Sequence, residues 1–225
     1  MARQGYQEKL SSLREDVLYM SEVVSERLRM GLSALEGKDR DLAMEVIQGD
    51  DEVNELYLDL ESQCIDLLAL QQPVAGDLRF IAASFKIITD LERIADLATN
   101  LGTYTLDAKR DVYPDVDIQG IGQVTLEMIE DAMNAYESED ADACFDIAER
   151  DDDLDRLCER ASEIVVRDLI ETEFVEGDDE EIEALMQDVS RLLLTVRDLE
   201  RVGDHAVNIA ARTLYMVENS DELIY

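Results

Sequence analysis

Twelve residues of this chain are written almost twice. DLERIADLATNL occupies 90–101 and DLERVGDHAVNI occupies 198–209, with seven identities (Asp, Leu, Glu, Arg, Asp, Ala, Asn) at an offset of 108. Low complexity does not produce acids, an arginine, an asparagine and aliphatics in one fixed order. A second pair, VIQGDDEVNEL (46–56) and IAERDDDLDRL (147–157), aligns at an offset of 101. The offset grows by 108 − 101 = 7 residues between the two pairs, and FVEGDDEE (174–181) is the natural place for that insertion. The chain is an internal duplication, so whatever one half folds into, the other must fold into as well.

The unit that is duplicated is helical. Leu10, Leu13, Val17, Met20, Val24, Leu28 and Leu32 keep the three-or-four spacing of an amphipathic helix, which EGKD at 36–39 ends. A second helix is expected over 39–70, with Val46, Val53, Leu56, Leu60, Leu67 and Leu68 inward. Pro73 is expected to open a third helix that runs to about 106, since a proline costs nothing in the first turn. The segment DAKRDVYPDVDIQGIG, with Pro114 and two glycines, reads as a linker. Helices then follow over about 118–136, 140–172 and 180–217. Strand-like alternation is sparse. The fold class predicted is all-α: six long helices as two tandem three-helix bundles related by internal pseudo-two-fold symmetry. The first repeat spans 1–110, the linker 111–117 and the second repeat 118–225.

Composition narrows the function. Asp and Glu number 55 against 20 Lys plus Arg, a formal charge of −35. The excess is spread along the chain, which reads mainly as a solvated coat of the kind that suits concentrated salt, where the Debye length falls to about 3 Å. No basic stripe exists to neutralise phosphates, so direct nucleic-acid binding is not expected. Cys64, Cys144 and Cys158 form no CxxC pair and read as buried thiols in a reducing compartment. The first residues lack the apolar core of a signal peptide, and no apolar run suits a membrane span. A cytoplasmic protein without membrane insertion is expected.

The repeated stretch carries the chemistry. On a helical wheel Leu91, Ile94, Ala98 and Leu101 share one face, as do Leu199, Val202, Ala206 and Ile209. Glu92, Arg93, Asp96 and Asn100 form a polar ridge away from that face, repeated by Glu200, Arg201, Asp204 and Asn208. Glu92/Asp96 and Glu200/Asp204 stand at i,i+4, as do Asp50/Asn54 and Asp151/Asp155 on the preceding helix. Carboxylates at this spacing repel in water, and a hard cation between them turns repulsion into coordination. In so acidic a chain roughly 13 such pairs arise by chance, so the information lies in their recurrence at equivalent positions. The competing reading is ordinary surface charge or an ion pair to a neighbouring helix. His205, the lone histidine, reads as a hydrogen-bonded packing residue, because Leu97 replaces it in the first repeat. A di-iron bundle site would need Glu-x-x-His, and position 202 is Val. No nucleophile triad or phosphate loop is present, and an enzyme is not expected.

LLALQQPVAGDLRFIAASFKIITDLERIADLATN (67–100) and LLLTVRDLERVGDHAVNIA (192–210) closely resemble the PhoU family of phosphate-transport regulators. The resemblance implies a negative regulator of phosphate uptake and phosphate-starvation signalling, acting by contact with a phosphate ABC transporter ATPase or a phosphate sensor kinase. It implies a homodimer. It also implies metal (Mg, Mn, Fe or Zn) on the acidic motifs, here Asp50, Glu92, Asp96, Asp151, Asp155, Glu200 and Asp204, with Asn54 a weaker neutral ligand. All-oxygen ligation favours Mg, Mn or Fe. The alternative is a helical protein whose function is to store or sense metal.

Overall fold

The computed structural model describes residues 2–70, 74–108, 116–171 and 179–224. They form α1 (Ala2–Gly37), α2 (Arg40–Gln48), α3 (Asp50–Leu70), α4 (Ala75–Asp107), α5 (Ile118–Ser138), α6 (Ala141–Glu171) and α7 (Asp179–Glu218). Helices α1 to α4 make the first bundle and α5 to α7 the second, and no strand occurs among the described residues. Pro73, most of the expected linker and most of the FVEGDDEE insertion lie outside the described residues.

The duplication extends to details that the aligned motifs do not contain. Helix α1 ends on Lys38 at φ 50°, and α5 ends on Glu139 at φ 57°, residues separated by the same offset of 101. After each comes an aspartate that caps the next helix. Asp39 Oδ1 accepts from the N–H groups of Asp41 and Leu42, both at 3.0 Å. Asp140 Oδ1 accepts from those of Asp142 and Ala143, at 3.1 and 3.2 Å. A short polar side chain satisfies N–H groups that the first helical turn leaves without partners. The two turns also share a backbone bond, from Asp39 N to Ala34 O and from Asp140 N to Ala135 O, each 3.0 Å.

The halves also differ in the backbone of the second helix. The expected single helix over 39–70 is two helices, α2 and α3, broken at Gly49, whereas α6 runs unbroken through the equivalent Arg150. The guanidinium of Arg27 lies across Gly49 where a Cβ would stand, and it bonds Glu52 at 2.6 Å. Only glycine leaves that room. In the second half the cation sits on the other helix: Arg150 itself reaches back to Glu127 and Asp131 on α5.

The predicted apolar stripes of α1, α4 and α7 are all buried, as are Val46, Val53, Leu60 and Leu67. Leu68 is exposed and Leu56 only partly buried. Cys64 completes the inner line Leu60–Cys64–Leu67, which leaves Leu68 about 100° round the helix from it. All three cysteines are free and buried.

One continuous core runs through both bundles. Tyr136 of α5 is wholly buried, stacks on Phe80 of α4 at 6.1 Å and shares a 2.7 Å hydrogen bond with Ser84. Helices α4 and α7 cross antiparallel, which sets the two repeated motifs against each other at the joint between the bundles.

Candidate functional site

The crossing is held by a reciprocal pair of polar contacts. Asp198 Oδ2 accepts from Asn100 Nδ2 at 3.0 Å and from the Tyr104 hydroxyl at 2.8 Å. Its repeat equivalent, Asp90, accepts from Asn208 Nδ2 at 3.2 Å and bonds His205 Nδ1 at 2.9 Å. The first residue of each motif thus bonds the asparagine of the other. Asn100 and Asn208, expected on the ridge with the acids, turn instead toward the joint. His205 is a hydrogen-bonded joint residue. Asp198 and its hydrogen bond help hold the Tyr104 hydroxyl protonated, pushed up to about 12, though burial is the larger cause.

The acids gather into one cluster per half, where the second helix of each repeat meets the third. In the first half each carboxylate has a partner. Asp50 accepts from Asn54 Nδ2 at 2.9 Å and Thr99 Oγ1 at 3.4 Å. Arg93 pairs with Asp96 at 3.0 Å and Glu92 at 3.4 Å. Glu92 is still raised above the usual carboxylate range, first by burial and then by the charge of Asp96.

The second half places Asp151, Asp155, Glu200 and Asp204 together without those partners. Asn54 is replaced by Asp155, a donor by a charge, and Thr99 by Val207, which has no hydroxyl. Asp151 Oδ1 is consequently buried with no hydrogen-bond partner. Arg201, the equivalent of Arg93, lies 3.9 Å from Asp198 instead, and among the described residues no arginine or lysine pairs with any of the four carboxylates. Ala95 is replaced by Gly203. A Cβ there would collide with Leu154 and stand 3.1 Å from Asp151 Oδ1, so the missing methyl lets α6 and α7 close on each other.

The electrostatic result is plain. Asp151 is raised to about 6, first by burial and then by Asp155, Asp204, Asp152 and Glu200. Glu200 and Asp204 are raised by burial and by Asp155. Cys158, one turn along α6 from Asp155, is pushed up to about 12 by burial and all four carboxylates. Arg197 lowers Glu200, and His205 and Arg201 lower Asp204, but burial and the neighbouring carboxylates outweigh them. Like charges crowded in this way suit a hard cation. The unpartnered Asp151 oxygen is compatible with one as well. Among the described residues no group of three or more Asp, Glu, His or Cys is placed so that it could hold a metal ion. Glu200, Asp204 and Asp155 are exposed.

The acid pairs at i,i+4 follow from the sequence, whereas the differences between repeats go unread there. Gly203, Val207 and the two motif-leading aspartates were readable there: the first two as mismatches within the repeat, Asp90 and Asp198 as identities assigned no role.

Comparison with known proteins covers both halves. The PhoU domain model matches residues 17–105 and again 118–213. A phosphate-specific transport system accessory protein PhoU homolog of Clostridium acetobutylicum is 30% identical over 220 residues, 96% of each chain. The phosphate-specific transport system accessory protein PhoU of Escherichia coli is 29% identical over 215 residues, 95% of this chain and 85% of that one. The crystal structure of PhoU from Pseudomonas aeruginosa superposes with a TM-score of 0.86 at 29% identity, covering 96% of this chain and all of that one.

Proposed function

We propose that this chain, which belongs to the PhoU family, is a cytoplasmic accessory regulator of phosphate transport that restrains uptake and starvation signalling when phosphate is plentiful. The observation that carries the reading is full-length similarity. Both repeats match, and the alignment with accessory proteins of phosphate-specific transport leaves almost none of either chain over. No described helix is long and apolar enough to cross a membrane, which suits a protein that acts on a transporter from beside it. Its partner in this reading is the transporter's ATPase or a phosphate sensor kinase, met by a homodimer.

Metal belongs to the same proposal. Asp151, Asp155, Glu200 and Asp204 would hold a divalent cation, which would add positive charge among the four carboxylates and tie α6 to α7. The unpaired cluster also favours a second reading, in which metal storage or sensing is the function. A tagged pull-down from phosphate-replete and phosphate-starved cells separates the two. Recovery of a phosphate-transporter ATPase or sensor kinase mainly from replete cells is expected. Recovery of neither in either state, from protein that carries stoichiometric metal, would overturn the regulatory reading in favour of the metal one.

A further inference from the structure

We infer that two copies of this chain pair through the end of the first bundle, where α3 gives way to α4, and not through its repeat equivalent in the second. This rests on the homodimer of the reading above and goes beyond it by assigning the face.

Ile65 and Leu68 in the last turns of α3, with Val74 and Leu78 at the start of α4, are 53%, 42%, 56% and 45% exposed. A single exposed aliphatic is ordinary. Here three of the four positions recur. Val166 matches Ile65 at an offset of 101, and Ile182 and Met186 match Val74 and Leu78 at 108. All three are exposed as well. Each repeat thus leaves an apolar tip uncovered by its own fold, in a chain that carries 55 acids. Matched apolar patches of this kind mark a contact surface.

Charge separates the two tips. From 63 to 82 the charged residues are Asp66, Asp77 and Arg79, a net of −1. The matching stretch, 164 to 190, sets Arg167 against ten Asp and Glu, a net of −9, and five of those acids stand in FVEGDDEE. Two chains of −35 repel. At the first tip they meet without carboxylate set against carboxylate, whereas two second tips would each bring nine net negative charges. A first tip on a second would leave a tip open at either end and string copies together; first on first closes as a two-fold pair. At these exposures the four side chains offer about 400 Å2 of apolar area per copy, near the apolar share of the smallest stable interfaces, about 600 Å2 per partner.

The test is sedimentation velocity of the full chain over a concentration series in about 2 M KCl, where repulsion is screened. Wild type is compared with I65E/L78E and with the matched V166E/M186E. Wild type and V166E/M186E are expected to dimerise alike, and I65E/L78E at least about tenfold more weakly. All four substituted side chains are exposed, so the variants should fold, and far-UV circular dichroism checks them. I65S/L78S is read in place of I65E/L78E if that protein loses its helical signal. First-tip variants that dimerise as wild type does would overturn the inference and leave the homodimer reading intact. A dimer weakened as much by V166E/M186E would overturn it too. A wild type that is monomeric throughout would remove the inference together with the homodimer reading.

Discussion

Removing the charge of one acidic side chain should stabilise this protein, and Asp151 is the side chain. Its carboxylate is half-buried, faces Asp155, Asp204 and Glu200, and has one oxygen with no donor. Because its folded pKa of about 6 lies above the ordinary value near 3.8, the folded state binds the proton more tightly than the unfolded chain does. Its contribution is therefore favourable below about pH 4 and is lost as pH rises through 6. At pH 7 the ionised group opposes folding. The full shift would overstate the cost for a group in partial contact with water, and after allowance for screening about 1 kcal/mol remains. D151N, in chelator, should then raise the melting temperature by about 2–4 °C at pH 7, with no gain at pH 4, where wild type is itself protonated. Urea or thermal unfolding followed at 222 nm at both pH values is sufficient. Mn2+ should reverse the order at pH 7 by stabilising wild type more than D151N. A D151N protein less stable than wild type at pH 7, or equally changed at both pH values, would refute the electrostatic account.

The joint offers a matched pair of deletions. D198A should cost about 2–3 kcal/mol and D90A about 1, because the Asp198 side chain is 7% exposed against 15% for Asp90; equal losses in urea unfolding would contradict the burial argument. G49A should destabilise wild type by displacing the Arg27 guanidinium that lies over Gly49. In an R27A background the same change should stabilise by about 1 kcal/mol, the helix-propensity gain of alanine over glycine, and an unchanged sign would mean that Arg27 is not what the glycine accommodates. With a net charge of −35, the fold should also gain melting temperature as KCl rises from about 0.1 to about 2 M; a flat or falling curve would sink the reading of the acids as a salt-adapted coat.

The buried architecture was legible because the hydrophobic effect writes it with a period. Leu13, Val17, Met20, Val24 and Leu28 announce a helix face, and the doubled motif announces that the face occurs twice. Two kinds of feature were not legible. The Arg27 guanidinium, from 22 residues earlier, lies over Gly49 in the space a Cβ would take, and no local pattern encodes that contact. The direction of Asn100 and Asn208 depends on which helix lies opposite. An asparagine is equally polar on a solvated ridge and at a joint, so the wheel placed both with the acids although their hydrogen bonds lie across the crossing.

The candidate site presents the reverse case, in which the information was in the sequence but in the differences between repeats. Recurrence of acids at i,i+4 identifies what the halves share, and in a chain this acidic shared acids are weak evidence. The departures say more: Ala95 to Gly203, Thr99 to Val207, Asn54 to Asp155. Each would be unremarked surface variation if it stood alone. Once α6 and α7 are packed, all three bear on the Asp151 carboxylate: the first half's hydroxyl donor to Oδ1 and amide donor to Oδ2 have no counterpart here, and the methyl that would stand against Oδ1 is absent. Drift would be expected to fill an orphaned buried oxygen, since a single Val207→Thr would offer a donor at the position Thr99 uses in the first half. Leu97 becomes His205 and Gly49 becomes Arg150 between the same repeats, so positive groups arrive as donors leave and the changes alone do not separate a cation site from incidental repulsion. V207T is therefore the most economical discriminator between a cation site and an accident of repulsion. It should stabilise the chelated protein and loosen Mn2+ binding at the second-half cluster, whereas an incidental cluster would show the first effect without the second.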